Sequence, residues 1–306
     1  MPGGPITTGN HPQLLWEGIE EIWGQLYDEY TSQYEALYDI HDSGKAYEKG
    51  VQITGFGLAP LKPQGQSTTF DSEVQGPTNT YTHIPYGLGY IVTFEELQDN
   101  LYKEVSERRV EANAFSIHQT VETVAAFLYN NAFVTTYFTT GDGAALISPS
   151  HVNTTGGTWS NALTPPADLA EASIEDLVIQ IMGFQTDRGL AINIVPESLH
   201  VHRQEWFNAN RILKSVLQSN TTSNNINVIK ATNVFPKGIH VNQFFTAAHA
   251  WFVRTNCPHG MRMYWRNRPM FDQDNDFPTK NALASTYMRF SVGATDPHGI
   301  AGSNGP

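Results

Sequence analysis

Cysteine is almost missing from this sequence. Cys257 is the only one in 306 residues, which excludes an internal disulfide framework and any multi-cysteine zinc site. Basic residues are scarce too, 18 against 30 acidic ones, and the formal charge of −12 argues against a surface built to grip phosphates. Such a chain can still face a nucleic acid without holding it, because mutual repulsion keeps the polymer mobile. No stretch of 18 apolar residues is present, so no membrane span is expected. Met1-Pro-Gly-Gly-Pro5 lacks the basic region and apolar stretch of a signal peptide, and the expectation is a protein made and used on the cytoplasmic side.

Motifs that carry chemistry are equally thin. His200-Val-His202 puts two imidazoles on one face of a strand but shows no third ligand nearby. Asp272-Gln-Asp274-Asn-Asp276 copies the first three ligand positions of a calcium loop, yet Phe277 stands where the tight turn needs glycine and Leu283 where the bidentate glutamate belongs. Gly141-Asp-Gly143 lacks the lysine of a phosphate loop, and Cys257-Pro-His259 is too short to orient a nucleophile and base. No catalytic, cofactor-binding or metal residues are assigned. The balance moves toward a structural protein, with a metal-dependent enzyme using His200, His202 and the aspartates near Asp274 as the outside alternative.

Glycine and proline are absent where it matters most. The chain carries 25 and 17 of them, but none between Gly89 and Gly141, a run of 51 residues. Thr93 to about Ala132 is mostly good helix formers, which predicts a rod roughly 55–60 Å long, against about 50 Å for a compact domain of this size. Leu97, Leu101, Val105, Ala112 and Phe115 fall on one helical stripe; Val110, Ala114, Val121, Val124, Ala125, Leu128 and Ala132 fall on roughly the opposite one. The helix is therefore expected to be buried on one side first and then on the other.

What surrounds the rod is richer in turns. Leu15, Ile19, Ile22, Leu26, Tyr30 and Leu37 predict an amphipathic arm over 12–38, after a Gly/Pro/Thr tail. Residues 45–92 alternate turn residues with short runs such as Val51-Gln-Ile-Thr54 and Tyr81-Thr-His-Ile84, around the polar tip Pro63 to Thr69. This is a two-stranded excursion too poor in apolar residues to bury a core of its own, so it needs a partner surface. A loop from Thr139 to Pro166 marks a boundary. Beyond it, helices are expected from Ser173 and over 204–217, a polar loop at Ser219 to Asn225, and strands at 192–195, 226–230, 239–245, 250–255, 261–265 and 287–294, with a frayed tail from Gly299. The fold class is α+β.

The order of these parts resembles the major capsid protein of tailed double-stranded DNA bacteriophages, and the sequence looks most like the Mu-like major head subunit family. Local matches are Leu146-Ile-Ser-Pro-Ser-His151 followed by Ser160-Asn161, Asp187-Arg-Gly189 leading to Ile194-Val-Pro196 and Leu199, Arg266-Asn-Arg-Pro269, and the closing run from Arg289 to Gly299. The resemblance implies an HK-97-like fold: N-terminal arm at 1–44, extended loop at 45–92 lying over the adjacent subunit, peripheral domain with spine helix at 93–138, axial domain at 139–255, and a return to the peripheral domain with a C-terminal tail at 256–306. It implies a virion protein that self-assembles into hexamers and pentamers of an icosahedral shell around double-stranded DNA, without enzymatic activity, membrane or cofactor. Only about fifty residues precede the extended loop, so a separate scaffolding protein is expected, with a portal and a decoration or cement protein as further partners. Lys62 is the one lysine near the tip of that loop, where some relatives cross-link. An encapsulin-like compartment shell shares the fold and is the nearest alternative.

Overall fold

The computed structural model describes residues 12–98, 102–217 and 226–305. Helix α1 (Pro12–Glu29) leads into a four-residue helix, α2 (Tyr34–Leu37), and strand β1 (Asp39–Asp42). Strands β2 (Tyr47–Ile53) and β3 (Gln75–Thr82) form an antiparallel ribbon, followed by β4 (Ile84–Val92), α3 (Phe94–Gln98) and α4 (Tyr102–Asn130). The second half runs through β5 (His151–Val152), β6 (Thr158–Trp159), α5 (Glu171–Met182), β7 (Pro196–His202), α6 (Trp206–Lys214), α7 (Val228–Thr232), β8 (Ile239–Asn242) and β9 (Ala250–Thr255). Two long strands, β10 (Met261–Asn275) and β11 (Ala282–Ala294), precede the last, β12 (Ile300–Asn304).

These strands make two four-stranded sheets, ordered β1-β10-β11-β4 and β12-β9-β7-β8. Period-two alternation on β11 turns Met288, Phe290 and Ala294 onto α4 and leaves the opposite face to solvent and to the ribbon. The second sheet is covered on both faces. On β9, Ala250 and Phe252 join the core of the first sheet, whereas Trp251 and Val253 join a second core with Ile174, Leu177, Ile181 and Leu199. One strand is thus the wall between two cores, and both must form for it to be buried, which couples the two halves energetically.

The long helix differs from its prediction in two ways. It is two helices, and the Glu96 carboxylate takes a bidentate ion pair from Arg109 at 2.8 and 3.0 Å. Thirteen residues along a straight helix would separate those side chains by about 20 Å, so α3 folds back on α4. The unbroken part, α4, has 29 residues and is about 43 Å long. Nor does its buried side switch among the described residues. Val110, Ala114, Ile117, Val121, Ala125 and Leu128 form one continuous face, while Ala112 and Phe115 of the supposed opposite stripe are exposed. Leu101 and the side chains of Leu97 and Val105 lie outside the described residues. The buried face is the second predicted stripe, widened by three buried polar residues, Asn113, His118 and Glu122, which pattern reading counts as solvent positions.

Other differences have local causes. The arm helix predicted over 12–38 breaks at Tyr30 to Gln33, where Thr31 and Ser32 favour non-helical backbone and the Gln33 N–H is taken by Glu122 at 2.6 Å. The strand predicted at 226–230 is the short helix α7, because the Asn227 side chain accepts the Lys230 N–H and Asn233 closes the turn at φ 50°. The predicted strand at 192–195 begins at Pro196 instead, and of the predicted helix over 204–217 only α6 is helical, with Trp206 and Val216 exposed. The expected frayed tail is strand β12, buried from Ile300 to Ser303 by pairing with β9. The tail over residues 1–10 and the polar loop at 219–225 lie outside the described residues.

The two sheets cross where Gly260 meets Gly299, just before β10 and β12. A Cβ on Gly260 would sit 2.7 Å from the Gly299 Cα, and neither backbone can yield without moving a strand. Gly260→Ala is expected to cost about 1–3 kcal/mol of overpacking and to lower the urea midpoint accordingly; an unchanged midpoint would show that the crossing is loose.

Candidate functional site

The ribbon of β2 and β3 is fixed at one end and open at the other. At its base, the Asn79 amide donates to the Ala294 carbonyl at 2.5 Å, the Gln52 amide donates to the Thr295 carbonyl at 3.1 Å, and the Tyr81 hydroxyl meets Thr295 Oγ1 at 2.6 Å. Tyr81 also packs on Gly293, the one residue of β11 that leaves room for its ring. His83 bridges Ser291 and Ser43, and burial pushes its imidazole below its ordinary range. Further out, Asp71 accepts from the Gly57 and Ser72 N–H groups and pairs with Arg188 at 3.6 Å; Arg188 also donates to the Ser72 carbonyl. Among the described residues nothing covers the tip. Phe56, Leu58 and Val74 are exposed, and Leu61 and Phe70 are 94% and 93% exposed. Five large apolar side chains on a ribbon with no core mark an interaction site.

Behind the ribbon lies a buried polar knot. Asn161 donates from its amide nitrogen to the carbonyls of Leu146, Pro297 and Ile300 at 2.9, 3.1 and 3.0 Å, which fixes its oxygen toward the Ser148 N–H and the His151 ring. His151, fully buried, meets that oxygen with Nε2 at 3.0 Å and Asp142 with Nδ1 at 2.8 Å. The ring thereby ties Asn161 to Asp142. Burial works against the charged form of Asp142, but hydrogen bonds from His151 and Thr140, the His151 charge and the Ala144 N–H together hold its carboxyl well below the usual carboxylate range. The knot joins the end of α4, the β5-β6 hairpin and the start of β12.

A second buried group anchors the arm. Glu122 of α4 is fully buried, and its Oε1 accepts the Gln33 N–H between α1 and α2. Tyr27 and Tyr30 of α1 pack their rings against His118, whose nitrogens make no hydrogen bond and whose imidazole burial pushes below its ordinary range.

The residues weighed as chemistry do not come together. His200 is buried, bonded through Nε2 to Ser198 Oγ at 2.8 Å and stacked on His240, and burial holds it well below the ordinary imidazole range; His202 instead accepts the Gln204 N–H. Asp272, Asp274 and Asp276 lie at the far end of the β10-β11 hairpin, where Asp276 accepts the Thr279 hydroxyl. Cys257 Sγ faces the Pro258 carbonyl while His259 turns to Arg262. Burial pushes the Cys257 thiol up. Lys62 is exposed in the tip. Among the described residues no group of three or more His, Cys, Asp or Glu is placed to hold a metal ion, and no helix is long and apolar enough to cross a membrane. An open groove of ≈ 620 Å³ beside Trp159, Gln180, Phe184 and Arg188 holds no cluster of titratable groups. The residues that organise the site, Glu122, Asp142 and Arg188, were not singled out individually by sequence reasoning. Asn161 and His151 were flagged only as part of local matches.

A fixed ribbon with a bare apolar tip, a long helix across one sheet and a second sheet-and-helix unit define a class of shell protein. The virus-like particle of Pyrococcus furiosus superposes with a TM-score of 0.55 at 8% identity, covering 94% of this chain and 99% of that one. The capsid of Myoviridae phage XM1 gives 0.51 at 12% identity over 91% and 93%. The holo-SrpI encapsulin complex of Synechococcus elongatus PCC 7942 gives 0.52 at 9% over 91% and 89%. The fold is HK-97-like. No curated protein matches the sequence. Residues 77–303, most of the chain, match the family model described as Phage capsid protein, and the chain belongs to that family as a subunit of a phage capsid shell.

Burial, opposed in part by the Gln33 and Tyr34 N–H groups, pushes the Glu122 carboxyl up from 4.5 to about 7. The folded chain keeps this proton where the unfolded chain has lost it, so its contribution to stability falls as pH rises from 4.5 to 7 and stays low above. Glu122→Gln retains an acceptor for Gln33 and cannot ionise. It is expected to exceed the native protein by about 2–3 kcal/mol at pH 8 and to lose that lead near pH 4, read from urea unfolding at both. An equal difference at the two pH values would contradict this.

Proposed function

We propose that this subunit assembles as hexamers and pentamers into the icosahedral head of a phage around double-stranded DNA, as a structural element without catalysis. The carrying observation is the ribbon: pinned at its base to residues 293–295 and bare at Leu61 and Phe70, it has an apolar surface that no described residue covers and that an adjacent copy would bury. In this reading residues 1–44 are the arm, 45–92 the extended loop lying over an adjacent copy, 93–138 the peripheral domain with its spine helix, 139–255 the axial domain around the capsomer axes, and 256–306 the return and tail. Sheet membership supports this with one change: β12 adds to the sheet of β7 and β9, so the last strand goes with the axial side.

The formal charge of −12 suits a shell whose packaged DNA must stay mobile. A separate scaffolding protein, a portal and a decoration or cement protein complete the partners, with assembly in the cytoplasm of the bacterial host. Placement near the Mu-like subgroup rests on the local matches around His151, Gly189 and Pro269. Likeness to an encapsulin is one of fold, and the family match favours the phage head.

Replacing residues 55–73 with an Asn-Gly turn keeps β2, β3 and every base contact. The variant is expected to give the same far-ultraviolet dichroism as the native chain but no closed shells by negative-stain microscopy, under conditions where the native chain closes them. Closed shells from the variant would remove the ribbon tip from the assembly.

A further inference from the structure

Two helices on the second sheet turn outward faces to solvent that no core in the chain explains. Helix α5 packs against β12 and α6 against β7 and β8, so they cover different halves of that sheet. Ile174, Leu177 and Ile181 hold α5 there, and Ala209, Ile212 and Leu213 hold α6. At about 100° per residue, the outward face of α5 carries Glu175, Asp176, Ile179 and Met182, and that of α6 carries Trp206, Phe207, Arg211 and Lys214. All eight are exposed, Ile179 by 70% and Phe207 by 72%. Helix α5 has no basic residue and α6 no acidic one.

Order along each helix makes the two faces fit each other. On α5 the acidic pair comes first and the apolar pair about 8 Å later. On α6 the stacked rings of Trp206 and Phe207 come first and the basic pair about 9 Å later. We propose that α5 of one copy packs antiparallel on α6 of the next, with Ile179 and Met182 covering Trp206 and Phe207 while Glu175 and Asp176 meet Arg211 and Lys214. Laid parallel, the helices would set both charged pairs against apolar side chains, so the pattern also selects the direction. The contact joins two different surfaces: each copy gives α5 to one neighbour and α6 to the other. A ring of five or six needs such a contact, and a two-fold contact cannot provide it.

The chain leaves both faces available. Among the described residues Glu175, Asp176, Arg211 and Lys214 enter no ion pair, and the Arg211 side chain donates to the Phe207 carbonyl of its own helix at 3.4 Å. The four apolar side chains are each more than half exposed, so the two faces do not cover each other within one chain. Neighbouring charges reinforce the pattern. Glu171 adds to the acidic end of α5, and Lys230, which donates to the Lys214 carbonyl, adds to the basic end of α6. Glu205, next to Trp206, is taken up by the Asn208 amide at 2.9 Å. Arg211 and Lys214 also suit the C-terminal end of their helix, but that gives no reason for two bare rings beside them.

The inference rests on the shell-subunit reading, and a charge swap separates the two. Glu175→Lys/Asp176→Lys and Arg211→Glu/Lys214→Glu, each pair alone, set like charges in contact across the two copies. Both are expected to stay folded by dichroism but to yield about tenfold fewer closed shells than the native chain. Combining the two pairs in one chain restores opposite charges and is expected to recover assembly. In assembled shells, Ile179→Cys/Phe207→Cys treated with a short bis-maleimide should give a ladder of linked subunits, and either cysteine alone should give none, against a background set by buried Cys257. Charge-reversed pairs that assemble normally, a combined variant no better than either pair, or a missing ladder would overturn the contact. Linked dimers from a single cysteine would replace it with a two-fold one. A basic face serving DNA would also overturn it, and would show normal assembly with DNA retention lost in Arg211→Glu/Lys214→Glu. If the native chain in the same preparation forms no shells, it is the shell-subunit reading that fails.

Discussion

A two-stranded ribbon cannot bury a core of its own, and this chain extends one anyway. Strands β2 and β3 are held because Asn79, Gln52 and Tyr81 spend their hydrogen bonds on residues 294 and 295 of the first sheet. Beyond those bonds the ribbon offers Phe56, Leu58, Leu61 and Phe70 to solvent. Exposed apolar side chains on an unpaired ribbon are a liability in a free monomer and an advantage in a protein whose working state is a contact with its neighbour. The rest of the fold provides the rigid frame from which such an arm can act. Helix α4 stiffens one sheet, and β9, buried on both faces, ties that sheet's core to the second.

The frame is locked at an elbow where apolar packing alone would leave carbonyls unpaired. Asn161 satisfies three of them, from Leu146, Pro297 and Ile300, and His151 joins it to Asp142. This explains why short stretches of the sequence carried the likeness to a family. Leu146 to His151 and Ser160-Asn161 supply the knot, and Asp187-Arg-Gly189 supplies Arg188, which reaches the ribbon at Asp71 and Ser72. The closing run from Arg289 to Gly299 supplies the seat for Tyr81 at Gly293 and the crossing with Gly260.

Much of this was readable without coordinates. The α+β class, the coreless ribbon, the helical stretch after it and the alternation on β11 follow from turn residues and periodicity, which are local properties. What was misread depended on distant partners. The polar part of the buried face of α4 was hidden because Asn113 takes the Trp23 indole and the Thr286 hydroxyl, and Glu122 takes the Gln33 N–H, contacts across 90, 173 and 89 positions that turn polar residues inward. The reversal between α3 and α4 was invisible because good helix formers occupy both sides of it. Strand β12 was taken for a tail because Gly302 and Ser303 read as turn residues, whereas Gly302 is there to let the Trp251 backbone approach.

The central claim is that the ribbon is completed by a second molecule. Amide hydrogen exchange along residues 54–74, compared between dissociated subunits and assembled particles, measures this directly. The account predicts fast exchange across the tip in free subunits and slow exchange in particles, with the base at residues 79–82 slow in both. Equally fast exchange at the tip in assembled particles would show that no neighbour covers it, and would contradict the account.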